Sequence, residues 1–165
     1  MKKIKEYFRE FAGQEKVARF LIETGLSVEG GNIYCNGVNI SPSKLGRLLE
    51  VDRRTVSSTV DTIESNPELA SIFRNLRATA FFKDVAMNTD AGLIEVIPKD
   101  PHRTGILAGI SEVIAGLGIS IRQSITEDPE FMEAPRLFII TEEPVPVEAI
   151  EDMRNVEGVM SVTIY

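Results

Sequence analysis

Between Ser41 and Ile63 the chain gathers hydroxyls and cations at close spacing: Ser43 and Lys44, then Arg53, Arg54 and Thr55, then Ser57 and Ser58. Guanidinium and ammonium groups grip phosphate oxygens and read guanine edges, and the hydroxyls donate to phosphates or bases. The chemistry on offer is nucleic-acid contact; the plain alternative is a solvated helix start. Catalysis has no comparable set. His102 is the only histidine and Cys35 the only cysteine in 165 residues, which excludes histidine-pair zinc sites, thiolate clusters and disulfide frameworks within one chain. Phosphate-cradling, dinucleotide-binding and nucleophile-elbow motifs are lacking. The adjacent acids Glu127-Asp128 and Glu142-Glu143 fall in expected loops, poor geometry for acid–base work. The expectation is a protein that is not an enzyme and takes no cofactor or metal.

The elements that must position these residues follow from capping and apolar spacing. Ser41 is placed to cap a helix with Pro42 at its first position, and Leu45, Leu48 and Leu49 give that helix one apolar face. Asp52 is placed to cap a second helix whose inward face is Val56, Val60 and Ile63. Two helices across a few residues, with Arg53, Arg54, Ser57 and Ser58 on the free face of the second, form the layout of a helix-turn-helix. Upstream, Ile4, Phe8 and Phe11 predict a helix over 2–12, and Val17, Phe20, Leu21 and Ile22 another over 14–24, stopped by Gly25. Asn36-Gly37, between the β-prone runs 32–35 and 38–40, predicts a hairpin, with Cys35 as a small strand residue. Asn66-Pro67 ends the second helix of the pair, and Leu69, Ile72, Phe73 and Leu76 predict a further helix face.

The run Leu45-Gly46, Leu49-Glu50-Val51-Asp52, Thr55-Val56-Ser57 resembles the helix-turn-helix of bacterial and archaeal regulators. That pattern carries a small Ala where Gly46 stands, a turn Gly where Glu50 stands and a Ser cap where Asp52 stands. If the turn needs positive φ, Glu50 bears about 1 kcal/mol of strain, and it adds negative charge near the phosphates.

From residue 90 onward the pattern changes. Leu93–Ile97 reads as a strand; 105–118 as a helix capped by Thr104 and ended by Gly118; 119–125 and 136–141 as strands; 146–153 as a helix opened by Pro146; and 160–164 as a last strand. This β-α-β-β-α-β order is the ferredoxin-like split βαβ, so the fold class is α+β. Both helices fall on one sheet face, leaving the other bare and open to pairing with a second copy. The order, together with His102-Arg103-Thr104-Gly105-Ile106-Leu107 and Leu117-Gly118-Ile119-Ser120-Ile121, resembles an ACT domain, with His102 and Thr104 where Asp and Pro are usual. Helix-turn-helix plus ACT is similar to predicted archaeal regulators of amino acid metabolism. The resemblance implies a free amino acid effector at the loop Asp100, Pro101, His102, Arg103, Thr104, Gly105, Ile106 and Leu107. Helix-start N–H groups would then meet its carboxylate, Asp100 its ammonium, and Ile106, Leu107 and Ile121 its side chain. Arg122 and Arg136 pair with Glu127 or Asp128, or one of them holds a ligand carboxylate.

Residues 1–89 carry 13 Lys and Arg against 11 Asp and Glu, and residues 90–165 carry 5 against 14, so the net −7 is +2 and −9 by halves. Only the first half suits DNA. The expected organisation is a helix-turn-helix domain at 1–70, a connecting segment at 71–89 and an ACT-like domain at 90–165. No signal peptide or membrane-length apolar run is seen, and a cytoplasmic homodimer or higher homo-oligomer joined through the ACT domain, with no membrane partner, is expected. The function expected is an amino-acid-responsive, DNA-binding transcriptional regulator. The alternative is an amino-acid-binding regulatory subunit of a metabolic enzyme that never touches DNA.

Overall fold

The computed structural model describes residues 6–130, 132 and 134–165. The chain divides after Ala80 into two compact units.

In the first unit a helical turn at residues 6–8, part of the helix expected over 2–12, precedes helix α1 (Ala12–Thr24), which stops where Gly25 turns left-handed (φ +68°) and the Leu26 N–H reaches back to the Leu21 carbonyl at 2.8 Å. A three-stranded antiparallel sheet follows: β1 (Ser27–Glu29), β2 (Asn32–Cys35) and β3 (Val38–Ile40). The expected Asn36-Gly37 turn is present, with φ of +45° and +90°. The reading missed β1, a three-residue strand with one buried side chain, Val28, which leaves too little alternation to register. Then come α2 (Pro42–Leu48), α3 (Arg53–Ser65) and α4 (Pro67–Arg74). Asn66 ends α3 and caps α4, its side-chain oxygen accepting from the N–H groups of Glu68 and Leu69 at 3.0 and 3.2 Å. Phe8, Val17, Leu21, Ile33, Leu45, Val56, Val60, Ile63, Leu69 and Phe73 form one buried core.

Three expectations change here. Phe11 is 57% exposed because the backbone leaves helical geometry there (φ −130°), just before α1. Of the helix expected over 2–12, residues 1–5, Ile4 among them, lie outside the described residues. Leu48 is 65% exposed, since α2 ends at it and the chain turns away from the core. Ser41 holds the N-cap position of α2 without a side-chain hydrogen bond; Pro42 opens the helix.

The second unit begins with a short helix α5 (Lys83–Ala86), followed by β4 (Gly92–Pro98), α6 (Ile106–Gly116), β5 (Ile121–Thr126), β6 (Leu137–Thr141), α7 (Ala149–Asn155) and β7 (Val159–Ile164). The strands form one sheet in the order β5-β6-β4-β7, every neighbour antiparallel. Ile94, Val96, Leu137 and Ile139 pack on Ile106, Ile110, Ile114 and Met153 of the helices. Of the stretch 71–89, expected as a connector, residues 71–74 complete α4 and 81–89 belong to the second unit. The sheet's other face is not bare. Ala86 packs with Leu93, Phe138 and Ile140, and the Phe81 ring meets Phe138 edge-on at 5.4 Å. The apolar, aperiodic run 81–86 is therefore a strap across the sheet, and β4 and β6 are buried on both faces.

Candidate functional site

The α2–α3 corner is a tight helix ending. The Val51 N–H bonds the Gly46 carbonyl at 2.9 Å and the Glu50 N–H the Arg47 carbonyl at 3.3 Å. This pattern places Glu50 at the position where glycine is favoured, and its φ is +53°. The glycine-for-alanine exchange at residue 46 has a steric counterpart, because a Cβ there would sit 2.9 Å from the Val51 carbonyl oxygen. Asp52 caps α3 as expected, its carboxylate accepting from the Arg54 N–H at 2.7 Å.

Among the residues expected to meet DNA, Lys44, Arg53, Arg54 and Ser58 are exposed, and Ser43, Thr55 and Ser57 are half-buried. Ser58 is tied to α1, its oxygen accepting from the Gln14 amide at 3.0 Å. Thr55 also faces that helix, its methyl lying 3.0 Å from where a Gly13 Cβ would be. The outward set of α3 is thus Arg53, Arg54 and Ser57. Sequence reasoning passed over Arg47, exposed three residues after Lys44 on the same side of α2; that spacing was the available signal.

In the second unit, the β4–α6 loop and the ends of β5 and β6 enclose a cavity of about 160 Å³. The expected residues Pro101, Arg103, Gly105, Ile106 and Leu107 line it, joined by Pro98, Thr126, Glu127, Pro135, Arg136 and Leu137. Gly105, at φ +93°, opens α6 without a side-chain cap, so the capping role expected of Thr104 is not observed. Asp100, His102 and Thr104 are exposed and do not line the cavity; the Asp100 carboxylate instead accepts from the His102 N–H at 2.9 Å. Ile121 starts β5, at the opposite end from Thr126, and packs on the core below the helices. Glu127 and Arg136 bond reciprocally: the Arg136 N–H reaches the Glu127 carboxylate at 3.0 Å and the Glu127 N–H the Arg136 carbonyl at 2.8 Å. Arg103 pairs with Glu157.

The other cations go elsewhere than expected. Arg122 holds the carboxylate of Glu142 with two bonds, 3.1 and 2.7 Å, and those hydrogen bonds draw Glu142 below its usual pKa. The Arg136 guanidinium reaches Glu95 at 2.8 Å. Glu95, 6% exposed, also receives Lys83 at 3.8 Å and the Tyr165 hydroxyl at 3.3 Å. Burial, then the Glu95 charge, raises the Tyr165 pKa. Among the described residues no cluster of three His, Cys, Asp or Glu is placed to hold a metal, and no helix is long and apolar enough to cross a membrane.

No family model and no curated protein matches the chain. Solved structures similar to it include an AsnC family transcriptional regulator from Agrobacterium tumefaciens, at 14% identity over 93% of this chain and 87% of that one, with a TM-score of 0.29. AsnC of E. coli is similar at 10% identity over 93% and 88%, with a TM-score of 0.24. A homoserine dehydrogenase from Thiobacillus denitrificans is similar at 22% identity over 80% of this chain but 30% of its own length, with a TM-score of 0.35.

Proposed function

We propose that this protein is a transcriptional regulator that binds DNA through α2 and α3 and tunes that binding with a free amino acid held in the second unit. The observation that carries the reading is the bihelical corner itself, where a capped α3 presents Arg53 and Arg54 to solvent. A helix so placed enters the major groove by its N-terminal end. Arg53 and Arg54 then reach phosphates or guanine edges, and Lys44 and Arg47 steady the backbone.

The effector cavity is the hollow at the start of α6. Its free N–H groups and Arg103 suit a carboxylate; Glu127, rather than Asp100, suits the ammonium; and Ile106, Leu107 and Leu137 suit an aliphatic side chain. Occupancy changes DNA affinity only if the effector binds two states unequally, with a coupling of about 1–3 kcal/mol typical. The reading takes the molecule as a cytoplasmic homodimer joined through its ACT-like unit.

The test is Arg53→Ala with Arg54→Ala. The Arg54 backbone N–H still meets Asp52, so the fold survives. Operator binding is lost, while thermal stabilisation by the amino acid found in a screen of all proteinogenic ones persists. Unchanged operator binding in that variant would remove α3 from DNA. A regulatory subunit that never touches DNA is favoured by one observation, the Glu50 carboxylate at the corner. A DNA affinity falling steeply with salt refutes it, and no binding at low salt supports it.

A further inference from the structure

The first unit contains a second hollow that plays no part in the DNA-binding proposal. It opens over the β1–β2 pair where Ser27 and Tyr34 stand directly opposite each other, and its wall is the end of α4 and the chain after it, carrying Arg74 and Arg77. Its volume is about 620 Å³, within the range of roughly 300–1,000 Å³ that suits small-molecule ligands.

The wall is pinned from two sides. The Ala78 N–H donates to the Asn36 side-chain oxygen at 3.2 Å, and the Ala78 carbonyl accepts from the Asn36 amide at 2.9 Å. The Arg77 backbone presses on the end of α1 so closely that a Cβ on Gly25 would sit 2.3 Å from the Arg77 carbonyl oxygen. Arg77 Nη1 is fixed by the carbonyls of Arg74 and Leu76, at 3.1 and 2.6 Å. Its Nε and Nη2 have no acceptor among the described residues, and neither do the hydroxyls of Ser27 and Tyr34 have partners there. Among the described residues the Arg74 guanidinium meets only the exposed carboxylate of Glu29, at 3.6 Å, a weak pair that a doubly charged anion displaces.

We propose that this hollow binds a small phosphorylated molecule of nucleotide size. Arg74 and Arg77 hold the phosphoryl oxygens, which guanidinium forks match better than any other side chain. The body of the ligand lies on the Tyr34 ring, with the two hydroxyls meeting its polar groups.

The test is calorimetric titration of the full chain with AMP, ribose 5-phosphate and adenosine. AMP or ribose 5-phosphate binds saturably and adenosine does not. Arg74→Gln, an exposed change at a helix end, weakens binding at least about tenfold, and Tyr34→Phe weakens it less. Arg103→Gln, in the effector cavity, leaves it unchanged, so failure here is distinct from failure of the effector reading. The proposal is overturned if neither phosphate binds saturably, or if Arg74→Gln binds as the parent does. It is equally overturned if Arg74→Gln weakens only DNA retention, which would make these arginines contacts to a polynucleotide backbone.

Discussion

Glu50 sits in a conformation that glycine adopts without strain. A left-handed non-glycine residue costs about 1–2 kcal/mol, and glycine returns part of that through its looser unfolded chain. Glu50→Gly should therefore raise stability by about 0.5–1 kcal/mol, read as a higher urea midpoint, and tighten DNA binding by removing a carboxylate. An unchanged or lower midpoint would show that the corner carries no strain. At the acidic end, the Arg122 hydrogen bonds hold Glu142 below the usual carboxylate range. Its lowered folded pKa means this contribution is present above the unfolded value, about 4.3, and vanishes as pH falls through the folded one. Arg122→Gln should move the NMR-observed Glu142 titration upward, and an unmoved midpoint would mean the pair does not form in solution. Single residues with a local job were readable in the sequence: Asp52 as a cap, Asn36-Gly37 as a turn, Glu50 as a misfit. Arg136 was not, because its partner Glu95 lies 41 residues away and only sheet register joins them.

Elements were legible where apolar spacing was long enough to show a period. Helices α1, α3 and α6 and strands β4 and β6 all carry such runs. The elements missed, β1 and α5, have three and four residues and owe their geometry to neighbours. Of the loop expected to meet an effector, only part lines the cavity, for a similar reason. That part is local in the chain, but Thr126, Glu127, Pro135 and Arg136 arrive from two distant strand ends. Two substitutions test how elements are ended. Asn66→Ala removes the acceptor for two N–H groups of α4 and should cost about 1 kcal/mol in denaturant unfolding. Gly25→Ala adds left-handed strain to a 2.3 Å approach on the Arg77 carbonyl oxygen, and should cost about 2 kcal/mol or more.

Across the whole molecule, charge and burial are shared unequally. Among the described residues the acidic second unit buries one carboxylate residue, Glu95, and surrounds it with Arg136, Lys83 and Tyr165. Hydrogen bonds to charged groups are worth about 1.5–3 kcal/mol. Glu95→Gln should lower the stability of the second unit by about that amount, seen as faster amide exchange in β4 and β6. Exchange in α3 should stay as it was, since that helix belongs to the other compact unit; equal acceleration in both units would mean they unfold together. Nothing in the local pattern announced Glu95, which reads as one acid in an apolar strand. The Asn36-Gly37 turn also sets how the protein ages. A glycine amide is unhindered enough to attack the preceding asparagine side chain, expelling ammonia and leaving a succinimide that water opens to a carboxylate. That product has no N–H to offer the Ala78 carbonyl and places an anion against it, so the deamidated fraction, identified by peptide mass mapping, should hold the chain after α4 less firmly and show faster amide exchange there.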